Sequence, residues 1–340
     1  MPKRIYKEYS MSSNQFPIKK INTINVPSDH LDIIITLDEF YEDCKANGMS
    51  FRTIQSYQSS LRAWQTFLNE RGITSLTEIT SEILLHFRHY LQGSYRSRKG
   101  KPLAISTMAQ KLVALRTYLY FCVRTGKILL NVAHQLPYPK LPKSLPRGIL
   151  SKQQMKRLLR LPDTKTLVGF RDRVILELFY STGVRRNELV SIRLLDCQLS
   201  ERRIFIREGK GGKQRWVPIG KKVCEILRSY VEHIRPALAA GQSHDYLLVG
   251  SKGGKLYATI VYTIVKGYLK QLGLHSDCHG LRHTCATHLL KGKANIRVIQ
   301  SLLGHSSLSS TQIYTHVDIS DMAKAIEKAH PRETMQCDTP

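Results

Sequence analysis

The stretch LPYPKLPKSLPRG, from Leu136 to Gly148, divides the chain. Its four prolines, with Lys and Arg between them, predict an extended linker. Before it the strong patterns are all helical. After it, helices are joined by a pair of strand-like segments. Two blocks suit a length of 340 residues, which suggests roughly two domains. A proline-rich strap of this kind is either a plain spacer or a way for the chain to wrap a rod-shaped ligand.

Working outward toward the N-terminus, the apolar residues repeat at helical spacing. In SFRTIQSYQSSLRAWQTFLNERG, Ile54, Tyr57, Leu61, Trp64 and Leu68 share one face. LDEFYEDCKANG precedes it and ends in a glycine suited to a helix C-cap. TSEILLHFRHYLQG and ISTMAQKLVALRTYLYFCVRTG follow, so residues 30–135 are expected to form a bundle of about four helices. Residues 1–29 are polar and basic, without periodicity, and are expected to be a mobile arm.

Toward the C-terminus, Ser151 can cap the helix SKQQMKRLLRL. FRDRVILELFYSTG carries Val174, Ile175, Leu178 and Phe179 as an apolar stripe. RRIFIREG and QRWVPIG flank KGGK and alternate like two strands of a hairpin with a Gly-Gly turn. Pro218 cannot donate to a ladder, so the second strand belongs at a sheet edge. The predicted class is therefore mainly α, in the α+β sense: a helical N-terminal domain and a mixed C-terminal domain with a small antiparallel sheet.

Charge says most about the partner. Lys and Arg total 52 against 26 Asp and Glu, a net charge of +26. The excess runs throughout the chain and favours a polyanion whose phosphates are neutralised as counterions leave. A cationic chain that merely stays soluble is the plainer alternative. No run of about 20 apolar residues is present, and the basic start lacks the apolar core of a secretory signal. A cytoplasmic, nucleoid-associated location is expected, with no membrane partner. Seven scattered cysteines form no CxxC pair, which points to reduced thiols and away from a zinc site.

Three stretches after the linker can carry chemistry. In STGVRRNEL, Gly183 ends a helix, Arg185 lies just beyond it, and Glu188 can orient the Arg185 guanidinium. Such a planar fork can hold two phosphate oxygens. Taken alone, an arginine at a turn is more often a solvated charge, and Arg186 suits that role better. In HGLRH, His279, Arg282 and His283 share a helix face. A permanent cation inside the cluster disfavours metal, and His283 equally suits a core. In the third, the amphipathic helix NIRVIQSLLG stops at Gly304, His305 follows, and Ser309 or Ser310 can cap a short helix carrying Tyr314. Together these describe a site for phosphoryl chemistry: guanidinium forks for oxygens, imidazoles for protons, a phenol to attack. No P-loop is present, and neither metal nor nucleotide cofactor is expected.

GVRRNEL, GKGGKQRWVPIG, HGLRHTCATHLL and LLGHSSLSSTQIYTHV, in this order, resemble the tyrosine recombinase (phage integrase) family, nearest its Xer-like branch. The resemblance covers nearly all of the second block and, more loosely, the first block and linker. It implies a core-binding, SAM-like helical domain at 30–135, a linker at 136–149, a catalytic domain at 150–333 and a tail at 334–340. It implies that Arg185 and Arg282 are the two catalytic arginines and that Lys210 is the general acid on the hairpin. His279 and His305 would be the phosphate-site histidines, and Tyr314 the nucleophile. The implied reaction is two transesterifications through a 3′-phosphotyrosine on duplex DNA at a specific site. The implied partners are that DNA and a homo-tetramer held through the C-terminal helix, with a partner recombinase or accessory protein as a further candidate.

Some features depart from the family pattern. Cys278 stands where many relatives have proline, and Trp216 where an aliphatic residue is commoner; neither bears on a candidate catalytic group. The arm is longer than in the plainest Xer proteins. The insertion typical of integron integrases is not evident before HGLRH. The terminal segment VDISDMAKAIEKAHP reads as a helix with Met322, Ile326 and Ala329 on one face. It either packs on its own domain or, as the family implies, docks on a neighbouring protomer. A type IB topoisomerase and a catalytically silent DNA-binding relative stand as competing readings.

Overall fold

In the computed structural model, the described residues are 32–97, 100–129, 132–137, 139, 148–207, 214–304 and 319–334. The chain divides into two units, residues 1–143 and 144–340.

The described residues of the first unit hold four α-helices: α1 (Ile33–Ala46), α2 (Phe51–Asn69), α3 (Ser81–Gly93) and α4 (Ile105–Arg124). Three start on a side-chain cap. The Asp32 carboxylate accepts from the amides of Ile34 and Ile35, the Ser50 hydroxyl from Thr53, and the Thr80 hydroxyl from Ile83. The face of α2 picked out by spacing is the one that packs, with Ile54, Leu61, Trp64 and Leu68 buried. An aromatic cluster holds α2 to α3: the Trp64 and Phe87 rings meet edge to face at 4.9 Å, and the Arg71 guanidinium lies 3.8 Å from the Phe67 ring centre. A buried hydrogen bond between the Thr36 and Tyr118 hydroxyls, 2.6 Å long, ties α1 to α4.

The second unit opens with α5 (Lys152–Arg160), whose cap is reciprocal. The Ser151 hydroxyl accepts from the Gln154 amide at 3.1 Å, and the Gln154 side chain accepts from the Ser151 amide at 2.8 Å. Its central element is α6 (Leu167–Thr182), buried on every side from Gly169 to Thr182. The sequence pattern gives only a stripe there. The structure also covers the charged residues, because each is answered. Arg171 forks onto Asp172 through Nε and Nη2, and the Tyr268 hydroxyl donates to Asp172 at 3.1 Å. Arg173 donates to Glu177 at 2.8 Å.

Beyond α7 (Arg186–Ser191) the sheet runs in the order β1-β2-β3, all antiparallel, with β1 at Cys197–Gln198, β2 at Arg203–Ile206 and β3 at Arg215–Pro218. Phe205 pairs with Trp216 and Ile206 with Arg215. Pro218 lies on the edge strand β3, as its missing donor requires. The two-residue strand β1 carries no alternation and was not foreseen. The Gly-Gly turn falls outside the described residues. Then come α8 (Lys221–Ser229), one π turn at Tyr230–Ile234, α9 (Arg235–Ala239), α10 (Ala258–Gln271), α11 (Cys278–Lys291) and α12 (Ile296–Leu303). The last described elements are α13 (Ile319–Ala329) and α14 (Pro331–Thr334).

The expected apolar face of α13 is the one that packs, and in this single chain it packs on its own unit. Met322, Ile326 and Ala329 belong to the same core as α6, α11 and α12. The segment after α13 is pinned more firmly still. Arg332, only 2% exposed, forks onto the carboxylate of Glu177 at 2.6 and 2.9 Å, and the His330 ring meets the Tyr180 carbonyl at 2.9 Å. Burial lowers the His330 pKa to about 4, so the ring is neutral at physiological pH.

Glu177 therefore holds two buried guanidinium groups, Arg173 and Arg332. Removing one member of a buried ion cluster leaves its partners uncompensated, at a cost of about 3–5 kcal/mol. Glu177→Gln is expected to lose stability of that order. Denaturant unfolding of the full chain measures it; a loss under about 1 kcal/mol, the usual surface-pair value, would refute the cluster's role.

Candidate active site

The site is built where three elements end. The first is the C-terminus of α6. Gly183 takes a left-handed conformation, φ +59°, and a Cβ there would come within 2.5 Å of Leu303 Cδ2. This turn brings Arg185 to the cap of α7, where the Glu188 side chain reaches back. Glu188 Oε2 accepts from the Arg185 amide at 2.8 Å, and Oε1 from the Arg185 guanidinium at 2.7 Å. The expected orientation of Arg185 by Glu188 is thus present as a two-point contact.

The second element is α11. Asp277 caps it by accepting from the amides of His279 and Gly280. One turn on, Arg282 points inward and is 3% exposed. It donates to the Gly183 carbonyl at 2.5 Å and to the Leu303 carbonyl at 2.6 Å. His279 stays exposed, and its ring meets that of His283 edge to face at 4.5 Å. The shared face foreseen for His279, Arg282 and His283 therefore divides: the two rings touch and the guanidinium dives beneath. Burial, with His279 and Arg282 nearby, lowers the His283 pKa, so its ring is neutral near pH 7.

The third element is the end of α12. Gly304 stops it in the left-handed region, φ +65°. The last carbonyls of a helix lack intrahelical partners and carry the negative end of its dipole. Here three successive ones are taken by three arginines. Leu302 accepts from Arg215 at 3.1 Å, Leu303 from Arg282, and Gly304 from Arg185 at 3.0 Å. Arg215 also forks onto both Glu188 oxygens, at 3.2 and 2.9 Å.

The electrostatics follow from this packing. Three guanidinium groups and one carboxylate leave two positive charges uncompensated among these four residues. Burial pushes Arg282 down to about 10, and the neighbouring Arg185 and Arg215 push the same way against Glu188, yet it stays a cation at neutral pH. Burial alone would raise Glu188, but hydrogen bonds from Arg215 and Arg185 hold it below the usual carboxylate range. Such a cluster can take up an anion with little reorganisation.

Of the six candidate residues, Arg185, His279 and Arg282 are described; Lys210, His305 and Tyr314 fall outside the described residues. Arg185 and Arg282 meet through the α12 end, across 119 and 21 residues of sequence. Arg215 was missed. Its signal was present in the alternation of QRWVPIG, which puts Arg215 on the same side as buried Val217. Trp216, on the other side, packs on Phe205 at 4.9 Å and under the Arg203 guanidinium at 4.3 Å. Among the described residues, no helix is long and apolar enough to cross a membrane.

Comparison with known proteins covers both units. A model of the phage integrase family matches residues 149–320, and a phage integrase SAM-like domain matches residues 33–136. The chain is 36% identical over 307 residues to "Tyrosine recombinase XerC 2" of Ralstonia nicotianae, covering 90% of this chain and 88% of that one. The XerH site-specific recombinase, solved in a pre-cleavage complex with its difH substrate, has a TM-score of 0.60 at 25% identity, covering 85% of this chain and 82% of that one. A lambda integrase tetramer bound to a Holliday junction shares the fold, with a TM-score of 0.62 at 18% identity over 86% and 82% of the two chains.

This chain belongs to the phage integrase family: it is a tyrosine recombinase.

Because the folded Glu188 pKa lies below its ordinary value of 4.5, its ion pairs add stability that is complete above that pH and fades as pH falls through the lower, folded value. Glu188→Gln is therefore expected to be less stable than wild type at neutral pH, with the gap closing toward acid. Urea unfolding across a pH series checks it; a gap that stays constant contradicts the ionic account.

Proposed function

We propose that the chain is a site-specific DNA recombinase that cuts and rejoins duplex DNA through a 3′-phosphotyrosine at Tyr314. The observation that carries this reading is the pair Arg185 and Arg282, fixed on the carbonyls immediately before His305. In this reading the two guanidiniums take the non-bridging oxygens of the scissile phosphate, and their net charge meets the charge that develops there. His279 and His305 hydrogen-bond the phosphate. A phenol with a pKa of about 10 is mostly protonated near neutrality, so Tyr314 needs that cationic field to attack.

The bonds balance. The Tyr314 hydroxyl gives its proton to His279 as its oxygen bonds to phosphorus, the bond to the 5′ oxygen breaks, and Lys210 supplies the proton that makes a 5′ hydroxyl. A 5′ hydroxyl of the partner strand then gives its proton to Lys210 as it attacks the phosphotyrosine, and the phenol leaves with the proton held by His279. One phosphodiester-type bond replaces another at each step, so no nucleotide hydrolysis is required.

With this go the domain limits read from the sequence: an arm at 1–29, a core-binding domain at 30–135, a linker at 136–149, a catalytic domain at 150–333 and a tail at 334–340. The partners are double-stranded DNA with a specific site and a homo-tetramer in the synaptic complex. A tetramer held through the C-terminal helix requires α13 to exchange its own core for that of a neighbour.

A suicide substrate, nicked near the cleavage point, tests the reading. Recombinase predicts a covalent adduct and joined recombinant strands; a topoisomerase relaxes supercoils without recombinants; a silent binder gives no adduct. Tyr314→Phe is expected to keep DNA binding and lose the adduct, and an adduct in that variant would overturn the assignment of Tyr314. Arg185→Ala is expected to lower cleavage at least about 100-fold while leaving gel-shift affinity nearly unchanged. Affinity and cleavage falling together counts against a catalytic Arg185. Arg282→Ala follows the same direction, with thermal unfolding measured beside it because two carbonyls lose their donor. DNA binding is expected to weaken steeply with salt, as several phosphate contacts require; a flat response excludes the phosphate clamp.

A further inference from the structure

We propose that Arg215 is a positioning residue of this site, holding Glu188 and the end of α12 at once and so fixing Arg185 against the helix terminus that Arg282 also grips. The inference rests on the recombinase reading above and goes beyond it, since Arg215 is none of the residues to which the family resemblance gives a role.

The argument starts from the strand. Arg215 stands opposite Ile206 in the ladder, on the buried side of β3, and its side chain is 13% exposed. An arginine there must find partners for its donors or lose stability. It finds two kinds. Nη1 and Nη2 grip the two oxygens of Glu188, and Nε donates to the Leu302 carbonyl. A planar fork can serve all three at once; a lysine ammonium in the same place cannot.

Each contact bears on a neighbour that faces the proposed phosphate. The same two oxygens of Glu188 serve Arg185, so the carboxylate sits between two guanidiniums and its place is set by both. Leu302 is the first of the three carbonyls, and the next two are held by Arg282 and Arg185. The site thus forms a closed loop: Arg215 to Glu188, Glu188 to Arg185, Arg185 to Gly304, and back through Leu302 to Arg215. Gly304 is shaped to it, since a Cβ there would stand 3.0 Å from Arg215 Cζ and Nη1. Opening the loop at Arg215 leaves Glu188 bound on one side only and the α12 end free to shift against Arg185. A displacement of about 1 Å is enough to lower a rate about 100-fold.

The test uses the full-length chain and a nicked duplex carrying the sequence that wild type selects from a randomised pool. Single-turnover adduct formation, gel-shift affinity and thermal unfolding are measured for wild type, Tyr314→Phe, Arg215→Gln and Arg215→Lys. Arg215→Gln is expected to bind the duplex as wild type does and to form the adduct about 100-fold more slowly. Arg215→Lys, which keeps the charge and loses the fork, is expected to fall between. Combining Arg215→Gln with Glu188→Gln is expected to cost little beyond the larger single effect, because both break one loop. Adduct formation at the wild-type rate in Arg215→Gln overturns the proposal, as does strict additivity. Duplex affinity dropping in step with the rate, measured well below each variant's melting temperature, also overturns it, since that marks a merely structural residue. If wild type forms no adduct, or Tyr314→Phe still forms one, the recombinase reading itself fails and takes this inference with it.

Discussion

The end of α12 depends on its three last carbonyls being met by three guanidiniums from three other elements. A helix C-terminus left bare costs free energy, and an arginine buried without acceptors costs more. Each solves the other's problem here. Arg185 comes from the turn after α6, Arg215 from the edge strand and Arg282 from α11, and their common acceptor segment draws the three together. Same-sign charges repel, so the arrangement also needs Glu188, 2% exposed, wedged between two of them. Among these four residues two positive charges remain, an arrangement suited to an anion.

The same logic shapes the core beneath it. α6 is surrounded on all sides, and its four charged side chains stay inside because each has a specific counterpart. Glu177 reaches across 155 residues of sequence to Arg332, which ties the last described turn of the chain to the central helix. The C-terminal segment is therefore not an appendage to this unit. Its apolar face fills the core and its cation completes a buried cluster.

Much of the architecture was legible in advance. Helical spacing identified the packed face of α2, and Ser151 and Gln154 announced the start of α5. Pro218 predicted an edge strand for a reason that is purely covalent. The limits are equally specific. α6 looked half-buried because a periodic pattern counts apolar residues and cannot see that Asp172 or Glu177 will be paired. β1 was invisible because two residues have no period. Within the site, Arg185, Glu188, His279 and Arg282 stood out through motif order and spacing. Arg215 did not, because its partners lie 27 and 87 residues away in sequence.

By itself, the sequence determined what local spacing and covalent chemistry can encode: two blocks about a proline strap, the helices and their caps, the edge strand, a basic chain suited to phosphate, and an ordered set of family motifs. Tertiary structure alone decided which charges are buried and with whom. It turned Arg282 inward while His279 stayed out, put the α13 face in its own core, and closed the loop through Arg215 and Glu188. The reason is physical. The free energy of a buried charge depends on partners brought in from distant parts of the chain, and no local pattern carries that information.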